Sequence, residues 1–471
     1  MKPDFNVKIE KSLIDRVIGN ITNVIIKQRM SEKKWIIGSL FIGCVIFGFS
    51  PGPIHLINDP SRWELREQFV YLTGLCAMSL MVMSVILSLR FERINRLVGG
   101  LDKAYIVHKW TGIYSLIFVI LHWSTETVPH WLVELNIIPN PGELGDSSGF
   151  SELEIALFQS GTLIAEILFY VFIILVTIAL FDRISYRFFR VTHKIFPGVF
   201  LLLAYHAATA PLKEHWFTSP AAYFLLILLA IGSYAAIIGL FQQIGKSRKV
   251  EAVIQNIELH ENGILDIRLQ TLDKPFLHQA GQYAFLQFAH NKEPHPFTIA
   301  SSGVNPHILR FAIKGLGDFT KELNDRIEVG QYVKIEGPYG EFKFEDNSER
   351  QIWIAGGIGI TPFIARLEYL SNQGGTKKPI DFWYCTRGDL DNQFPSSLQS
   401  LCEKNGINFY HLNSNKKEYL TIDRLKTTIG NFNNSSIWFC GPGDFAKYIM
   451  KGLKSAGFDI NDFHYDSFSM R

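Results

Sequence analysis

The chain has 471 residues, a formal net charge of +2 and 47% hydrophobic residues. A charge so close to zero, without a compact basic tract, gives no reason to expect nucleic-acid binding. The length predicts two or three domains. Five cysteines, which show neither CxxC nor metal-finger spacing, argue against a disulfide framework or a zinc site: Cys44, Cys76, Cys385, Cys402 and Cys440.

The N-terminal segment is amphipathic rather than uniformly apolar. Between residues 5 and 29, apolar side chains recur on one helical stripe with charges on the opposite side. We predict for residues 1–33 a helix that either lies on a membrane surface or packs on the body of the protein, and we favour the membrane surface.

Apolar runs dominate the chain up to about residue 245. Six of them approach the ~20 residues that a helix needs to cross a bilayer. We therefore predict an all-α bundle of six transmembrane helices over residues 34–245, surrounded by membrane lipid. The predicted spans lie at about 34–50, 68–89, 104–124, 155–181, 191–210 and 220–242.

The placement of lysine and arginine predicts the orientation of this bundle. These residues collect before the first span, between the second and third, between the fourth and fifth, and after the sixth. Because positive loops face the cytoplasm, both termini are expected there, in a plasma or inner membrane. The opposite side has few charged groups that could steer an anionic acceptor: Arg62, Arg66, His130, Lys213 and His215.

Four histidines lie in the third and fifth predicted spans. His108 and His122 are fourteen residues apart, and His193 and His206 are thirteen apart. At about 1.5 Å per residue, each spacing corresponds to roughly 20 Å along a helix axis. A single histidine could anchor a helix end, but two matched pairs favour two b-type haems, because imidazole is a standard axial ligand of haem iron. Since both spans run outward, His108 is expected to pair with His193, and His122 with His206.

The two spacings place their histidines differently around a helix. Fourteen residues return an ideal helix nearly to the same face, whereas thirteen do not. Pro197–Gly198 lies within the thirteen-residue interval, so we expect a distortion of the fifth span there.

Beyond residue 250 the pattern becomes that of a soluble α/β protein. Short β-type runs separated by Gly and Pro turns predict an antiparallel β-barrel over residues 250–345. After residue 350, strands alternate with glycine turns and helices, which predicts an α/β domain with a parallel sheet over residues 350–471. The chain is thus expected to be multidomain.

A glycine turn follows the first strand of the predicted α/β domain and precedes a helix. In that position, backbone N–H groups and the helix dipole can hold a pyrophosphate, although the turn is not a GxGxxG fingerprint. Its expected cofactor-binding residues are Gly356, Gly357, Gly359, Thr361 and Pro362. After the next strand, Thr386 and Arg387 suit the 2′-phosphate of NADPH better than the ribose diol of NADH.

Three further segments, together with this turn, resemble the ferredoxin–NADP reductase family. They are His295-Pro296-Phe297-Thr298-Ile299-Ala300-Ser301, Gly317-Asp318-Phe319-Thr320 and Cys440-Gly441-Pro442. The resemblance implies that the first segment lines the flavin, with Thr298 near its reactive edge. It implies that the second lies against the FAD pyrophosphate, and that the third, with Cys440, lies beside the nicotinamide for hydride transfer.

Taken with the four histidines, the chain resembles the NADPH oxidase and ferric reductase superfamily, and within it a stand-alone prokaryotic member. The resemblance implies that His108, His122, His193 and His206 bind two b-type haems. Electrons would pass from cytosolic NADPH through FAD and the haems to an acceptor outside. No obligatory regulatory subunit is expected. Relatives often end in an aromatic residue stacked on the flavin, and Phe468 is the candidate here.

The acceptor stays open among three classes. We favour oxygen, giving superoxide, because the sequence shows no outward metal-binding cluster. The first alternative is a ferric chelate. The second is a protein partner or a quinone, which would make the chain an electron-transfer subunit.

Overall fold

Long helices form the first half of the chain and two β-sheets organise the second. The computed structural model describes residues 30–58, 61–139, 150–181, 183–210, 219–261, 263–289, 293–388 and 395–465. The amphipathic helix expected within residues 5–29 lies outside these ranges. The described chain divides into two compact units. The first covers the described residues up to Ile244 except Gly99–Asp102, and the second covers Gly99–Asp102 and the described residues from Gly245 onward.

The membrane unit consists of helices joined by short connections. In the described part of residues 30–244, they are α1 (Met30–Gly48), α2 (Gly52–Asn58), α3 (Arg62–Ser88), α4 (Glu92–Val98), α5 (Leu101–Glu134), α6 (Glu152–Leu180), α7 (Tyr186–His193), α8 (Phe196–Thr209) and α9 (Pro220–Leu240).

Five helices among the described residues are long and apolar enough to cross a membrane. They are α3, α5, α6, α9 and the stretch formed by α7 and α8. Helices α1 and α2, bent by 59° at their junction, make a sixth span if the pair is counted as one. The bend follows from the prolines of the Ser50–Pro53 segment, which interrupt helical hydrogen bonding. The protein is therefore an integral membrane protein with five or six spans.

Two of the helices differ from their predicted spans. Helix α5 continues to Glu134 and includes Pro129, so the first ten residues of the predicted loop 125–154 are helical. The fifth span is interrupted after His193 and resumes at Phe196, with Pro197 in the first turn of α8. Proline suits a first turn because its missing N–H would have no helical partner there. The interruption lies just before the expected distortion.

The barrel is a six-stranded antiparallel sheet in the order β4-β3-β6-β1-β2-β5. A bridge between Ile299 and Phe311 joins its two edges, so the barrel is nearly closed. Fully buried apolar side chains such as Ile267, Leu286 and Ile335 fill its interior. The strands are β1 (Lys249–Leu259), β2 (Ile264–Thr271), β3 (Tyr283–Phe288), β4 (His295–Thr298), β5 (Ile308–Lys314) and β6 (Tyr332–Tyr339), and a short helix, α10 (Asp318–Glu322), follows β5.

A five-stranded parallel sheet in the order β11-β10-β7-β8-β9 forms the C-terminal part. Its central strands alternate between two apolar cores: Trp353 faces one, and Ile352 and Ile354 face the other. This burial on both faces is typical of parallel sheets. The elements are β7 (Arg350–Gly356), α11 (Thr361–Asn372), β8 (Ile380–Thr386), α12 (Pro395–Lys404), β9 (Asn408–Asn413), α13 (Ile422–Ile429), β10 (Ser435–Cys440), α14 (Gly443–Ser455) and β11 (Phe463–Tyr465).

One carboxylate anchors the segment between the barrel and this sheet. Asp346 accepts hydrogen bonds from Ser436 Oγ (2.7 Å), Trp438 Nε1 (3.0 Å), Gln351 Nε2 (2.8 Å) and Lys378 Nζ (3.0 Å). Burial alone would raise the pKa of the Asp346 carboxyl, but these four hydrogen bonds outweigh burial and hold the pKa below its ordinary value. The ionised carboxylate thereby ties the connecting segment to the sheet.

Candidate functional site

The inner histidine pair joins α5 to the end of α7. The ring centroids of His108 and His193 are 5.9 Å apart, with an angle of 71° between the ring planes. His108 Nδ1 lies 2.9 Å from the backbone oxygen of Ser84 and 3.0 Å from its hydroxyl. Because Nδ1 faces a carbonyl, it carries the proton and leaves Nε2 unprotonated and able to bind a metal. Nδ1 of His193 is buried and has no hydrogen-bond partner among the described residues.

The outer pair repeats this arrangement between α5 and α8. The centroids of His122 and His206 are 6.2 Å apart, again with 71° between the planes. His122 Nδ1 lies 2.9 Å from the carbonyl oxygen of Val70 on α3. A Cβ on Gly74 would lie 3.2 Å from the His122 ring, so glycine leaves room for the imidazole. Both histidines line a cavity of about 400 Å³ walled by residues of α3, α5, α6 and α8.

The spacing of both pairs suits a metal ion held between two imidazoles. A metal–imidazole bond is roughly 2 Å long, which puts the centroids of two opposed rings about 6 Å apart. Among the described residues, no group of three His, Cys, Asp or Glu side chains is arranged to hold a metal ion. Two imidazoles alone leave an ion short of ligands, and a porphyrin supplies the missing ones. The residues present therefore fit haem.

A charged cluster lies beside the outer cavity. Arg66 on α3 donates to the carboxylate of Glu126 and to the backbone oxygen of Thr125 (3.0 Å), and its Nη2 is 3.2 Å from His130 Nε2. Glu126 and His130 both line the cavity. The Arg66 side chain is only 12% exposed. Its positive charge is therefore balanced by the carboxylate of Glu126. Lys213 and His215 lie outside the described residues.

In the barrel, the two predicted flavin segments meet through their rings. His295, at the start of β4, stacks on Phe319 with centroids 3.7 Å apart and an angle of 8°. Pro296, Phe297 and Thr298 complete β4, which pairs with β3. This stack joins two segments that are more than twenty residues apart in the sequence.

Backbone hydrogen bonds set the shape of both segments. Thr320 Oγ1 accepts from the N–H groups of Leu316 and Gly317, each at 3.0 Å, which fixes the turn around the exposed Asp318. After β4, Ile299 is fully buried and the Ser301 hydroxyl accepts from the N–H of Arg310 (3.3 Å). The barrel thus brings together the residues that the resemblance assigns to FAD.

The nucleotide turn after β7 meets the turn after β10. A Cβ on Gly359 would lie 2.2 Å from the carbonyl oxygen of Cys440, and one on Gly356 would lie 2.9 Å from Pro442 Cδ. These two glycines are therefore required by contact between the turns. Gly357 has a φ of +56° and open space at its Cβ position. The structure thus brings the predicted pyrophosphate turn together with the predicted nicotinamide segment.

Helix α11 begins directly at this turn. The Thr361 hydroxyl donates to the carbonyl oxygen of Ile358 (2.8 Å), and Pro362 lies in the first helical turn. Free N–H groups at the start of a helix attract a phosphate anion. The N-terminus of α11 therefore suits a pyrophosphate.

Two predicted site residues differ from the simple expectation. The Cys440 side chain is 3% exposed and packs in the core, so this residue meets the turn through its backbone. Thr386 is 5% exposed, with its hydroxyl 3.0 Å from His411 Nε2, whereas Arg387 is exposed at the strand end. The Thr386 hydroxyl is thus engaged inside the sheet. Phe468 lies outside the described residues.

Sequence reasoning did not single out the residues that contact residues 295–301, which we call the flavin strand because they are predicted to line the flavin. His278 Nε2 lies 3.1 Å from the carbonyl oxygen of Ser301, and Arg310 bonds Asp266 and approaches Glu368. Burial lowers the pKa of His278, against the opposing effect of its backbone partners. The contacting residues are far apart in the chain, so no local motif marks them.

Two protein families match separate parts of the chain. Residues 73–204 match the ferric reductase like transmembrane component, and residues 249–343 match an FAD-binding domain. Dual oxidase 2 of Rattus norvegicus is 25% identical over 358 residues, covering 69% of this chain and 22% of that protein. The chain thus joins a ferric reductase like transmembrane component to an FAD-binding domain. The first of these matches, together with the long apolar helices, supports an integral membrane protein.

Other similarities are confined to the reductase part or are weaker. The glycine betaine monooxygenase reductase subunit of Pseudomonas aeruginosa is 25% identical over 217 residues, which is 42% of this chain and 58% of that relative. The chain thus spans little more than half of this relative. A flavohemoglobin structure from Malassezia yamatoensis has a TM-score of 0.45 and 16% identity, over 94% of this chain and 99% of that one.

Replacing Gly359 by alanine tests the contact between the two turns. The new Cβ would lie 2.2 Å from the Cys440 carbonyl oxygen, so one turn must move. We expect a loss of about 1–3 kcal/mol in stability and weaker NADP⁺ binding, measured by thermal unfolding and calorimetry on the purified protein. Gly443→Ala is the control, because nothing lies within 4 Å of its Cβ position. Wild-type values for Gly359→Ala would contradict the steric argument.

Proposed function

We propose that this protein carries electrons from cytosolic NADPH through FAD and two b-type haems to an acceptor outside the cell, and that this acceptor is oxygen, giving superoxide. The observation that carries the proposal is the pair of facing imidazoles repeated at 5.9 and 6.2 Å in a unit that matches a ferric reductase like transmembrane component. The adjoining FAD-binding domain supplies the means to take electrons from a nucleotide.

The dehydrogenase residues bind and orient the two nucleotides. Bound flavin accepts hydride and releases single electrons, a conversion that a nicotinamide cannot perform. In the proposal, the Thr298 hydroxyl lies at the reactive edge of the flavin, and the His295–Phe319 stack fixes the strand and turn that flank it. The start of α11 holds the NADPH pyrophosphate. The turn at Cys440-Gly441-Pro442 then lies beside the nicotinamide, because it contacts the same glycine turn.

The membrane unit holds the haems through its four histidines. Haem supplies a one-electron carrier within the bilayer. Hydrogen bonds from His108 Nδ1 to Ser84 and from His122 Nδ1 to Val70 fix the ring orientation and leave Nε2 toward the metal. His193 and His206 face them from the fifth span. In the proposal, the positive loops face the cytoplasm, and both termini and the dehydrogenase unit lie on that side.

The charge balance beside the outer cavity favours a neutral acceptor. Arg66 is paired with Glu126, so this pair offers no net positive charge to an anionic ferric chelate. Oxygen is small and neutral and needs no such attraction. A ferric chelate, a protein partner and a quinone remain as outcomes of the test.

The acceptor is tested on the purified, haem-loaded protein without added subunits. NADPH should drive cytochrome c reduction, and superoxide dismutase should remove most of that activity. Ferric-chelate reduction that is faster and insensitive to the dismutase would instead identify a ferric reductase. Rapid transfer to a quinone, with neither of the other activities, would identify an electron-transfer subunit.

Replacing one outer histidine tests haem ligation. His206→Leu should lower the haem content from two to one per chain, because the proposed outer haem loses one of its two ligands. The measurement is the reduced b-type absorbance per mole of protein, together with the pyridine haemochrome assay. His130→Leu is the matched control, since His130 also lines the outer cavity but has no facing imidazole. Two retained haems in His206→Leu would exclude His206 as a ligand.

Replacing Arg387 tests the choice of nucleotide. A guanidinium binds a phosphate dianion by charge-assisted hydrogen bonds, and only NADPH carries the 2′-phosphate. Arg387→Ala should therefore raise the KM for NADPH about tenfold, as expected from losing roughly 1.4 kcal/mol, and leave NADH use unchanged. Arg326→Ala, an exposed arginine of the barrel unit, is the control. Equal losses with both nucleotides would assign Arg387 a structural role.

A further inference from the structure

The backbone of one arginine in the barrel is bonded to the flavin strand. Arg310 lies in β5, and its N–H donates to Ser301 Oγ (3.3 Å). Its carbonyl oxygen accepts from the N–H of Ala300 (2.7 Å). Ala300 and Ser301 directly continue β4, which carries His295 to Thr298. The position of Arg310 is thereby coupled to the segment predicted to line the flavin.

The side chain of Arg310 is held in a single orientation. Nε lies 3.0 and 2.7 Å from the two carboxylate oxygens of Asp266, and Nη2 lies 2.6 Å from Oδ2. This forked contact fixes the guanidinium plane. The hydrogen bonds to Asp266 raise the pKa of Arg310 above its ordinary value, against the cost of burial. The guanidinium is therefore a fixed, permanent charge on the barrel.

The remaining nitrogen of this guanidinium points to the nucleotide domain. Arg310 Nη1 lies 3.5 Å from Glu368 Oε1. Glu368 is on α11, the helix that starts at the nucleotide turn with Thr361. Burial raises the pKa of Glu368, and the charge of Arg310 acts against that rise. Each partner is about one-third exposed, with side-chain values of 31% and 36%.

We propose that Arg310 and Glu368 form a positioning pair that sets helix α11 against the flavin strand and so controls how the nicotinamide meets the flavin. The inference rests on the proposed transfer of hydride from NADPH to FAD. Arg310 is hydrogen-bonded through Ser301 to the flavin strand, next to one reacting partner. Glu368 lies on α11, which begins at the pyrophosphate turn of the other partner. A helix moves as a rigid rod, so a shift at Glu368 displaces the turn at its start. Small displacements of that kind are costly in rate.

The test replaces the acidic partner, which leaves the hydrogen bonds between Arg310 and Asp266 in place. In Glu368→Gln, anaerobic stopped-flow measurements at saturating NADPH should show flavin reduction slowed about two- to five-fold, the range of a partly exposed ion pair. NADP⁺ affinity should stay unchanged, because the turn itself is intact. Glu368→Asp should recover part of the rate. Added salt should slow wild type toward the variant, since it screens the pair.

A readout that needs no turnover accompanies the kinetics. Hydrogen exchange of the FAD-loaded protein without nucleotide should be faster in residues 361–372 of Glu368→Gln than in wild type, and unchanged in β1 and β2. The matched control is Glu403→Gln, whose carboxylate accepts a hydrogen bond from Gln399 of the same helix (3.0 Å). It should leave both the rate and the exchange of α11 at wild-type values.

The outcomes separate this pair from the function on which it rests. If NADPH fails to reduce the wild-type flavin, the proposed function is overturned, and the exchange of α11 still decides whether Glu368 positions the helix. If wild type is reduced but Glu368→Gln matches it in rate and in exchange, the positioning pair is overturned. The same follows if Glu403→Gln slows reduction equally, since the effect would then belong to the domain at large.

Discussion

The membrane unit depends on the hydrogen bonds that two imidazole rings make in a region from which lipid excludes water. His108 and His122 both turn Nδ1 toward a backbone oxygen of α3, at Ser84 and Val70. An unsatisfied polar atom in hydrocarbon is costly, so these contacts largely determine where the rings can lie. The second contact needs a glycine. Gly74 lies one turn after Val70 on the same helix, and a side chain there would press on the His122 ring. Helix α3 thus orients the histidines, although it carries none of them.

The sequence predicted the elements where one physical requirement acts locally. Lipid demands long apolar helices, so the predicted spans at 155–181 and 220–242 lie close to α6 and α9. A half-buried sheet demands alternation, and the alternating runs beyond residue 250 predicted the antiparallel barrel. The end of α5 was predicted too early because residues 124–126 are polar. The helix continues past them and past Pro129 to Glu134. In the same way, the first span was predicted to end at about residue 50, but a second short helix, α2, begins at Gly52.

The site was harder to predict wherever a residue acts through distant partners. The glycine turn was interpreted as room for a phosphate, whereas Gly356 and Gly359 also face the turn after β10, some eighty residues away. Thr386 has the right chemistry for a phosphate, but its hydroxyl is bonded to His411 on the next strand. Asp346, which holds the connecting segment through four donors from two strands and a loop, belongs to no motif. Only the folded chain brings such groups together.

The interruption in the fifth span has an electrostatic consequence for its two histidines. Pro197 has no N–H to offer the carbonyl of His193, so α7 ends there and α8 begins a new helix at Phe196. His193 therefore lies in the last turn of α7, and His206 in the last turn of α8. The final carbonyls of a helix carry partial negative charge. An unbroken helix would offer one such end, whereas this span offers two, one at each imidazole pair. At the outer pair, the end of α8 therefore favours the more positive oxidation state of whatever metal the histidines hold, whereas at the inner pair the positive start of α8 opposes the negative end of α7.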